Sequence, residues 1–384
     1  EEITTPIFEV AELFERSSGE SSDVVQKEMY RFQDKKGRKF ALRPEGTAPV
    51  VRSYIENHLD KLSSRTKLFY LGPMFRYDRP QAGRYRQFYQ YGIEFIGSNN
   101  PYYDAEVIAI AFLWLNKLGL NNLRLEINSV GCPACSAVYD NVLQEYYRPF
   151  LPKLCPDCMK RLETNPRRLL DCKVPSCIEF RKNAPSQMDY LDEPCKIHFS
   201  AVCNYLQAMN ITYTVNPGIV RGLDYYTNTA FEIIYEGLGA QNSLVGGGRY
   251  NGLIEQIGGK SIPAIGFAGG FERLLWALEE ENIDLASAPK PDAYFVCVGE
   301  NTRMQILPYL NALRTKGLLV DYDPDKNSLK AQLKAADASG AKYAIIIGEN
   351  ELAAKTVNLK NMQTGEQITI PMDAEQTIKR MRCF

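Results

Sequence analysis

The sequence predicts an α+β chain that carries a cysteine-rich, mainly helical insertion and ends in a small α/β domain with a mixed sheet. Three observations carry this expectation. Leu68–Gly97 reads as two strands joined by a polar loop. After Pro291, strand-like and helix-like segments alternate, as in small α/β domains. Between these regions, Cys132–Pro217 changes composition and becomes rich in Cys, Pro and charge, as an insertion between two strands of the first domain does.

Bulk properties set the frame. At 384 residues there is room for two or three domains. A hydrophobic fraction of 45% and a charged fraction of 24% are those of a globular protein. No run approaches the roughly 18 apolar residues of a membrane span, and no secretory signal is visible. The net charge is −1, so any nucleic-acid surface must be a local patch. The chain begins at Glu1, in what reads as mid-domain, and a preceding segment is expected.

Thr4-Thr5-Pro6 breaks before a short helical stripe of Ile7, Val10, Leu13 and Phe14. Phe40–Leu42 is strand-like and runs into Arg43-Pro44-Glu45-Gly46-Thr47. A helix follows, with Thr47 as N-cap, Pro49 in the first turn and Val50, Val51, Tyr54 and Ile55 facing inward. Glu45 and Thr47 thus stand at a strand-to-helix corner. Such corners often rim sites, although a carboxylate near a helix start also has a purely structural reading.

In the central stretch, Leu68–Arg76 is apolar until Arg76, Asp78–Arg84 has turn chemistry, and Tyr85–Ile96 is rich in aromatic and β-branched residues. Alternation places Arg86, Phe88, Gln90, Gly92 and Glu94 on one face. Phe88 to Glu94 spans roughly 20 Å, about the size of a nucleotide joined to an amino acid. A ring, a gap and a carboxylate in a row suit such a ligand; a half-exposed strand with a polar side fits the same alternation.

Asp104–Leu118 reads as a helix with Trp114 inside, and Leu123–Val130 as a strand. Ten cysteines occur, eight of them between 132 and 203. Cys132-x2-Cys135 and Cys155-x2-Cys158 match the spacing of a four-thiolate structural zinc site, with Cys172 and Cys177 as competing thiols. Ile219–Tyr235 is a loop feeding a strand, with Arg221, Asp224, Tyr225 and Tyr226 crowded at its mouth. Leu244–Leu253 carries three consecutive glycines but completes neither a Walker loop nor GxGxxG. Ile265–Leu278 is a strand, a glycine turn and a helix, with Leu274, Leu275 and Leu278 inward and Arg273 in its first turns. Ala286–Pro291 is a linker by composition. Beyond it come strands Asp292–Val298, Leu318–Tyr322 and Lys342–Gly348, a hairpin of Val357–Met362 and Gln367–Ile370, and helices Met304–Thr315, Leu329–Ala336 and Thr377–Arg382. No glycine-rich phosphate fingerprint follows the first of these strands.

FRYDRPQAGRYRQFYQYGIEFIG resembles motif 2 of class II aminoacyl-tRNA synthetases, in the form typical of the histidine enzymes. TTPIFE resembles the tail of motif 1. LRPEGTAPVVRSY, VRGLDYYTNTAFE, SLVGGGRYNGLIEQIGG and IGFAGGFERL (motif 3) match bacterial histidyl-tRNA synthetases in order and spacing. AKYAIIIGENELAAKTVNLKNMQTGEQ resembles their anticodon-binding domain. The resemblance covers almost the whole chain. It implies a class II antiparallel sheet with flanking helices. The catalytic domain would be 1–130 and 218–285, the insertion 131–217 and the anticodon-binding domain 290–384.

The resemblance also implies an activity. Histidine and ATP, brought as its Mg2+ salt, form histidyl-adenylate, and the histidyl group passes to the 3′ end of tRNA(His), in a cytoplasmic homodimer. Glu45, Thr47 and Gln90, with Gly46 beside them, would hold the substrate α-ammonium. Glu94 and Tyr226 would clasp the imidazole, with Tyr225 and Gly222 lining its pocket. Arg76 would grip the α-phosphate, and Arg221 would stabilise its charge from the other side. Arg273 would hold the distal phosphates and Phe88 would stack on adenine, near Asp78 and Arg84. Asp78 replaces the family's Glu and is one methylene shorter. Arg79, Gln81 and Arg84 would meet the tRNA acceptor end. The segment expected before Glu1 would supply part of the dimer interface. Two alternatives share the fold: a histidine-sensing regulatory paralogue that charges no tRNA, and a tRNA-sensing module of a signalling protein. The first should lack the C-terminal domain and the ATP-binding arginines.

Overall fold

A computed structural model describes residues 1–19, 22, 24–78, 83–219, 223, 225–283 and 289–383. The chain divides into two compact units, Glu1–Ile283 and Asp284–Phe384.

The first unit opens with β1 (Phe8–Val10), which runs directly into α1 (Ala11–Ser18). β2 (Arg31–Gln33) and β3 (Lys39–Leu42) complete a small antiparallel sheet ordered β1-β3-β2. This corrects the inward stripe expected near the start. An extended strand alternates, so Glu9 turns inward while Phe8 and Val10 turn out, and Ile7 is exposed beside them. Leu13 and Phe14, on the helix, do reach the core.

α2 (Thr47–Glu56) buries Val50, Val51 and Tyr54 as expected, and the one-turn α3 (Leu59–Leu62) follows. The cap of α2 differs from expectation. Gly46 is the N-cap residue, and the Glu45 carboxylate accepts from the N–H groups of Thr47 at 2.6 Å and Ala48 at 2.9 Å. Two oxygens satisfy two orphan N–H groups and bring negative charge to the positive helix end, more than one hydroxyl can do.

β4 (Thr66–Phe75) and β5 (Gln87–Ile96) form the expected hairpin, in register from Thr66 opposite Ile96 to Phe75 opposite Gln87. Asn100 caps α4 (Pro101–Lys117) by accepting from Tyr102 N–H, and the proline stands where an N–H would have no helical partner. β6 (Leu123–Ser129) then leads into the insertion. There α5 (Pro133–Tyr147), α6 (Pro156–Thr164) and α7 (Pro175–Arg181) gather around Tyr139, Leu143, Tyr147, Leu162 and Leu170. α8 (Glu193–Ala208) instead packs on the main core through Phe199, Val202 and Leu206, and β7 (Thr214–Val215) pairs parallel with β6. β8 (Thr227–Tyr235), β9 (Ser243–Arg249), the short α9 (Leu253–Gln256), β10 (Ala264–Gly270) and α10 (Phe271–Glu280) complete the unit.

The resulting seven-stranded sheet has the order β4-β5-β10-β9-β8-β6-β7 and is antiparallel apart from the β6–β7 pair. Tyr91 and Phe95 of β5 join Ile108 and Leu115 of α4, Val202 of α8 and Leu274 of α10 in one core. The alternate residues of β5 are therefore left for the other face. A buried ion cluster ties the sheet to the helices. Arg249, at the end of β9, and Asp104, on α4, are both fully buried and pair bidentately, and His198 Nε2 of α8 lies 3.2 Å from Asp104 Oδ1.

In the second unit, β11 (Ala293–Cys297), α11 (Glu300–Thr315), β12 (Val320–Asp321), α12 (Leu329–Ser339) and β13 (Tyr343–Ile347) alternate as expected. After α13 (Glu349–Ala354) come the hairpin β14 (Thr356–Asn361) and β15 (Gln367–Pro371), and then α14 (Ala374–Cys383). The sheet order is β12-β11-β13-β14-β15, parallel over the first three strands and antiparallel over the rest. β11 is buried on both faces, which is why AYFVC shows no polar alternation. Among the described residues, no helix is long and apolar enough to cross a membrane.

Candidate active site

The face of the large sheet opposite the helices carries a cleft. β5 contributes Phe88 and Gln90, and the corner before α2 contributes Glu45 and Thr47. Arg76, Asp78 and Arg84 come from the β4–β5 connection, Tyr225 and Tyr226 from the run-in to β8, and Arg273 from the start of α10. Glycines 246, 266 and 270 of β9 and β10 keep the floor low.

The cleft is rich in carbonyl, amide and phenol oxygens. Glu45 is buried and already accepts from two backbone N–H groups, and Gln90 Oε1 accepts from Gly46 N–H at 3.1 Å. Burial raises the Glu45 carboxyl above its ordinary value, against the pull of those N–H groups and of Arg76. Tyr225 and Tyr226 lie with ring centroids 4.8 Å apart, and Tyr225 meets the edge of Tyr250 at 5.8 Å.

Glu94 is placed one layer deeper than expected. It is fully buried, accepting from Thr47 Oγ1 at 2.7 Å and from the Tyr250 hydroxyl at 2.5 Å. A Cβ on Gly266 would lie 1.9 Å from Glu94 Oε2, so three wall residues (Thr47, Tyr250 and Gly266) border this carboxylate. Burial pushes it up to about 8, while the two hydroxyls pull it down. Gly92, expected to be a gap for the ligand, serves a protein ring instead. A Cβ there would come within 2.4 Å of Tyr70, whose ring also fills the space beside Gly46.

The same cleft carries three arginines. Arg76 Nε donates to Pro44 O at 2.8 Å, and its guanidinium lies 5.3 Å from the Phe88 ring centroid. Arg84 pairs with Asp78 at 2.9 Å. Arg273 donates to Gly83 O at 3.0 Å and Ser243 O at 3.2 Å. Burial, then the nearby Arg84 and Arg76, lower its pKa. Arg273 with two further guanidiniums close enough to act on it suits a polyanion. Arg79, Gln81, Arg221 and Gly222 lie outside the described residues.

Sequence reasoning did not single out Tyr250, Glu28, Glu272 or Ser243, all of which line the cleft. Tyr250 was within sight, directly after the glycine run of β9. Glu272 accepts from Tyr89 N–H at 2.8 Å, a contact across a long sequence gap that no local pattern encodes.

The four cysteines expected in one metal site are split between two. Cys155 and Cys158 gather with Cys172 and Cys177, whereas Cys132 and Cys135 gather with Asp192 and Cys195. Each short pair starts a different helix, α5 or α6, and each finds its complement on a different segment. Either group could hold a metal ion.

A family model described as histidyl-tRNA synthetase matches residues 1–144 and 179–274, and an anticodon binding domain model matches residues 292–381. A histidine–tRNA ligase of Halothermothrix orenii is 52% identical over 369 residues, covering 96% of this chain and 88% of that protein. The apo structure of S. aureus histidyl-tRNA synthetase superposes with a TM-score of 0.82 at 43% identity, over 98% of this chain and 90% of that one. A Bacillus halodurans structure described as an ATP phosphoribosyltransferase regulatory subunit/histidyl-tRNA synthetase shares the fold, with a TM-score of 0.63 at 21% identity over 91% of this chain and 89% of that one.

Proposed function

We infer the roles of the cleft residues from one premise: the chain belongs to the histidyl-tRNA synthetase family, and its reaction is the ATP-dependent joining of histidine to tRNA(His). A histidine carboxylate oxygen attacks the α-phosphorus of ATP, the bond to the β-phosphate bridge breaks, and pyrophosphate leaves. A terminal ribose hydroxyl of the tRNA then attacks the activated carbonyl and AMP leaves. No side-chain nucleophile is needed in either step.

The observation that carries the assignment is that one cleft is lined both by buried acceptors and phenols and by three arginines, with Arg76 close enough to Glu45 to pull on its carboxyl. Glu45, Thr47 and Gln90 receive the three donors of the α-ammonium. Glu94, which keeps lone pairs beyond the two hydroxyls it accepts from, takes an imidazole N–H, and Tyr226 faces the other ring nitrogen. Tyr225 and Gly222 wall the ring, with Gly46 behind the ammonium. A pocket of this kind rejects side chains lacking both ring nitrogens by as much as ~10⁴–10⁵, because its buried polar groups would be left unpaired.

Arg76 grips the α-phosphate, Arg221 neutralises the charge that grows on it, and Arg273 holds the β- and γ-phosphates with their Mg2+. Phe88 stacks on adenine, and Asp78, held by Arg84, faces the adenine amino group. Catalysis is then mainly positioning and charge stabilisation. Arg79, Gln81 and Arg84 meet the acceptor end, and the second unit reads the anticodon. Zinc in the insertion is structural, since no described cysteine lines the cleft.

Assembly and location belong to the same reading. Phe8, Phe32 and Phe40 form an edge-and-stack cluster on the small sheet, and Ile7, Phe8, Val10 and Phe32 are exposed. A contiguous exposed apolar cluster suits an interface, and a second copy of the chain is the partner. The free cysteines suit a reducing cytoplasm.

Histidine-dependent ATP–pyrophosphate exchange, run with several amino acids, tests the residue roles. Arg221→Ala should nearly abolish exchange while histidine binding stays measurable; unchanged exchange refutes its role.

A further inference from the structure

We propose that the insertion holds two structural zinc ions in separate sites, one of four thiolates and one of three thiolates and a carboxylate, and that the second ion fixes the start of β8, the strand that Tyr225 and Tyr226 lead into. Zinc in the insertion is the reading given above; the number of ions, their ligands and the strand they hold go beyond it.

The distances are those of tetrahedral coordination. Zinc–sulfur bonds of about 2.3 Å place sulfurs about 3.8 Å apart, and a sulfur and a carboxylate oxygen about 3.5 Å apart. Cys155 and Cys172 Sγ are 3.9 Å apart. Cys135 Sγ is 3.6 Å from Cys132 Sγ and 4.0 Å from Cys195 Sγ, and Cys132 Sγ is 3.3 Å from Asp192 Oδ2. Within each group all ligand atoms lie within 4.8 Å of one another. Cysteines used only as small apolar filler need no such common focus.

Both groups are built on helix starts. Cys132 caps α5 and Cys155 caps α6, each followed by proline, with Cys135 and Cys158 completing the first turn. In the second group the arrangement is mirrored on α8, where Asp192 is the cap and Cys195 completes the turn. Helix starts favour negative sulfur. Backbone N–H groups also reach the sulfurs: Cys155 N–H donates to Cys177 Sγ at 3.3 Å, and Asp192 N–H to Cys135 Sγ at 3.1 Å. Asp192 divides its oxygens, Oδ1 accepting from Cys195 N–H at 2.9 Å and Oδ2 facing Cys132 Sγ. One oxygen thus orients the carboxylate and the other is left for the ion, the usual division of labour around a metal.

Both ions have mechanical work to do. α6 and α7 are short, and helices of this length are marginal without something that clamps them. The second group sits at the root of the insertion. Gly131, beside Cys132, accepts from Asn228 N–H at 2.8 Å, Asn228 O accepts from Val130 N–H at 2.7 Å, and Asn228 Nδ2 lies 3.9 Å from Cys195 Sγ. Asn228 is the second residue of β8, and the strand starts directly after the tyrosine pair. The carboxylate in this group also makes it the more labile of the two, since zinc prefers a fourth thiolate.

The test uses the full chain. Protein purified without chelator is dialysed against zinc-free buffer with reductant, and metal is counted per chain by mass spectrometry. Two zinc ions are expected, with Cys158→Ser leaving one. A chelator should remove zinc in two phases of equal amplitude, and losing the first ion should raise KM for histidine several-fold. Asp192→Cys should slow the first phase by about tenfold or more and strengthen thiolate-to-cobalt charge-transfer bands in the cobalt form. Wild-type protein with no zinc or one zinc, or with its thiols paired as disulfides, overturns the proposal. So does an Asp192→Cys protein with unchanged release and spectrum, for the second ligand set, or an unchanged KM, for the strand. The count and the two phases need no variant to fold. Charging activity on the same samples separates the readings: charging without zinc sinks this proposal alone, and two zinc ions without charging sink only the cleft roles.

Discussion

At the residue scale, Glu94 is the sharpest test of the pocket. Its folded-state pKa is raised to about 8, above the ordinary 4.5. The sign follows from linkage. A raised group favours the empty fold fully below its unfolded value, and that contribution fades as pH rises through the folded value. A ligand that donates an N–H to the carboxylate releases the proton. Histidine should therefore raise Tm by an amount that grows as pH climbs toward about 8 and then levels off. Glu94→Gln should flatten that dependence and cost histidine about 1.5–3 kcal/mol of binding, the usual loss for a hydrogen bond to a charged group. Thermal shift at several pH values, with titration calorimetry, checks both; an unaltered histidine affinity removes Glu94 from the pocket. Tyr250→Phe leaves one Glu94 oxygen without its donor, so Glu94 should titrate still higher and histidine affinity fall by about 1 kcal/mol.

At the element scale, the corner before α2 and the hairpin β4–β5 decide whether the site forms. Glu45→Ala removes the acceptor for two N–H groups at the helix start, and should cost about 0.5–2 kcal/mol of stability in addition to its effect on histidine KM. Denaturant unfolding and steady-state kinetics on the same protein check the pair of effects. Most of the hairpin was legible in the sequence, because strand alternation fixes which residues of β5 share a face: Phe88 and Gln90 do stand in the cleft wall, and Tyr91 and Phe95 in the core. The fillings between were not legible. Tyr70 takes the space beside Gly92, and Tyr250 reaches across to Glu94, because both depend on which strand lies next to which. The cysteine spacing puts four thiols in one group where the fold divides them between two, for the same reason: short pairs are local, but what completes each set is tertiary. The type and place of Thr47 point to a cap, whereas a neighbouring carboxylate outcompetes its hydroxyl for the same N–H groups.

At the scale of the whole molecule, two features are testable. The buried Arg249–Asp104–His198 cluster joins β9, α4 and α8. Burial alone would raise Asp104, but His198 and Arg249 hold it below its ordinary 3.8. Its contribution is then present above that value and lost as pH falls through the folded one. Asp104→Asn leaves a buried guanidinium without its counter-charge and should destabilise the protein by about 3–5 kcal/mol, with the loss shrinking in acid. Unfolding at neutral and acid pH measures it. The aromatic face of the small sheet predicts association: Phe32→Glu should shift the chain toward monomer in light scattering while leaving secondary structure intact, and an unchanged mass refutes that face as the contact.

The Glu45 carboxylate has a longer consequence. The carboxylate caps α2, and on the proposed reading it also faces the ammonium site, so a mutation there would loosen substrate grip and fray the helix together. Drift at this position would then be penalised twice, once in catalysis and once in the amount of folded enzyme. Laboratory selection for altered amino-acid preference should therefore find its escape routes in the aromatic wall around Tyr225, Tyr226 and Tyr250, and leave this corner untouched.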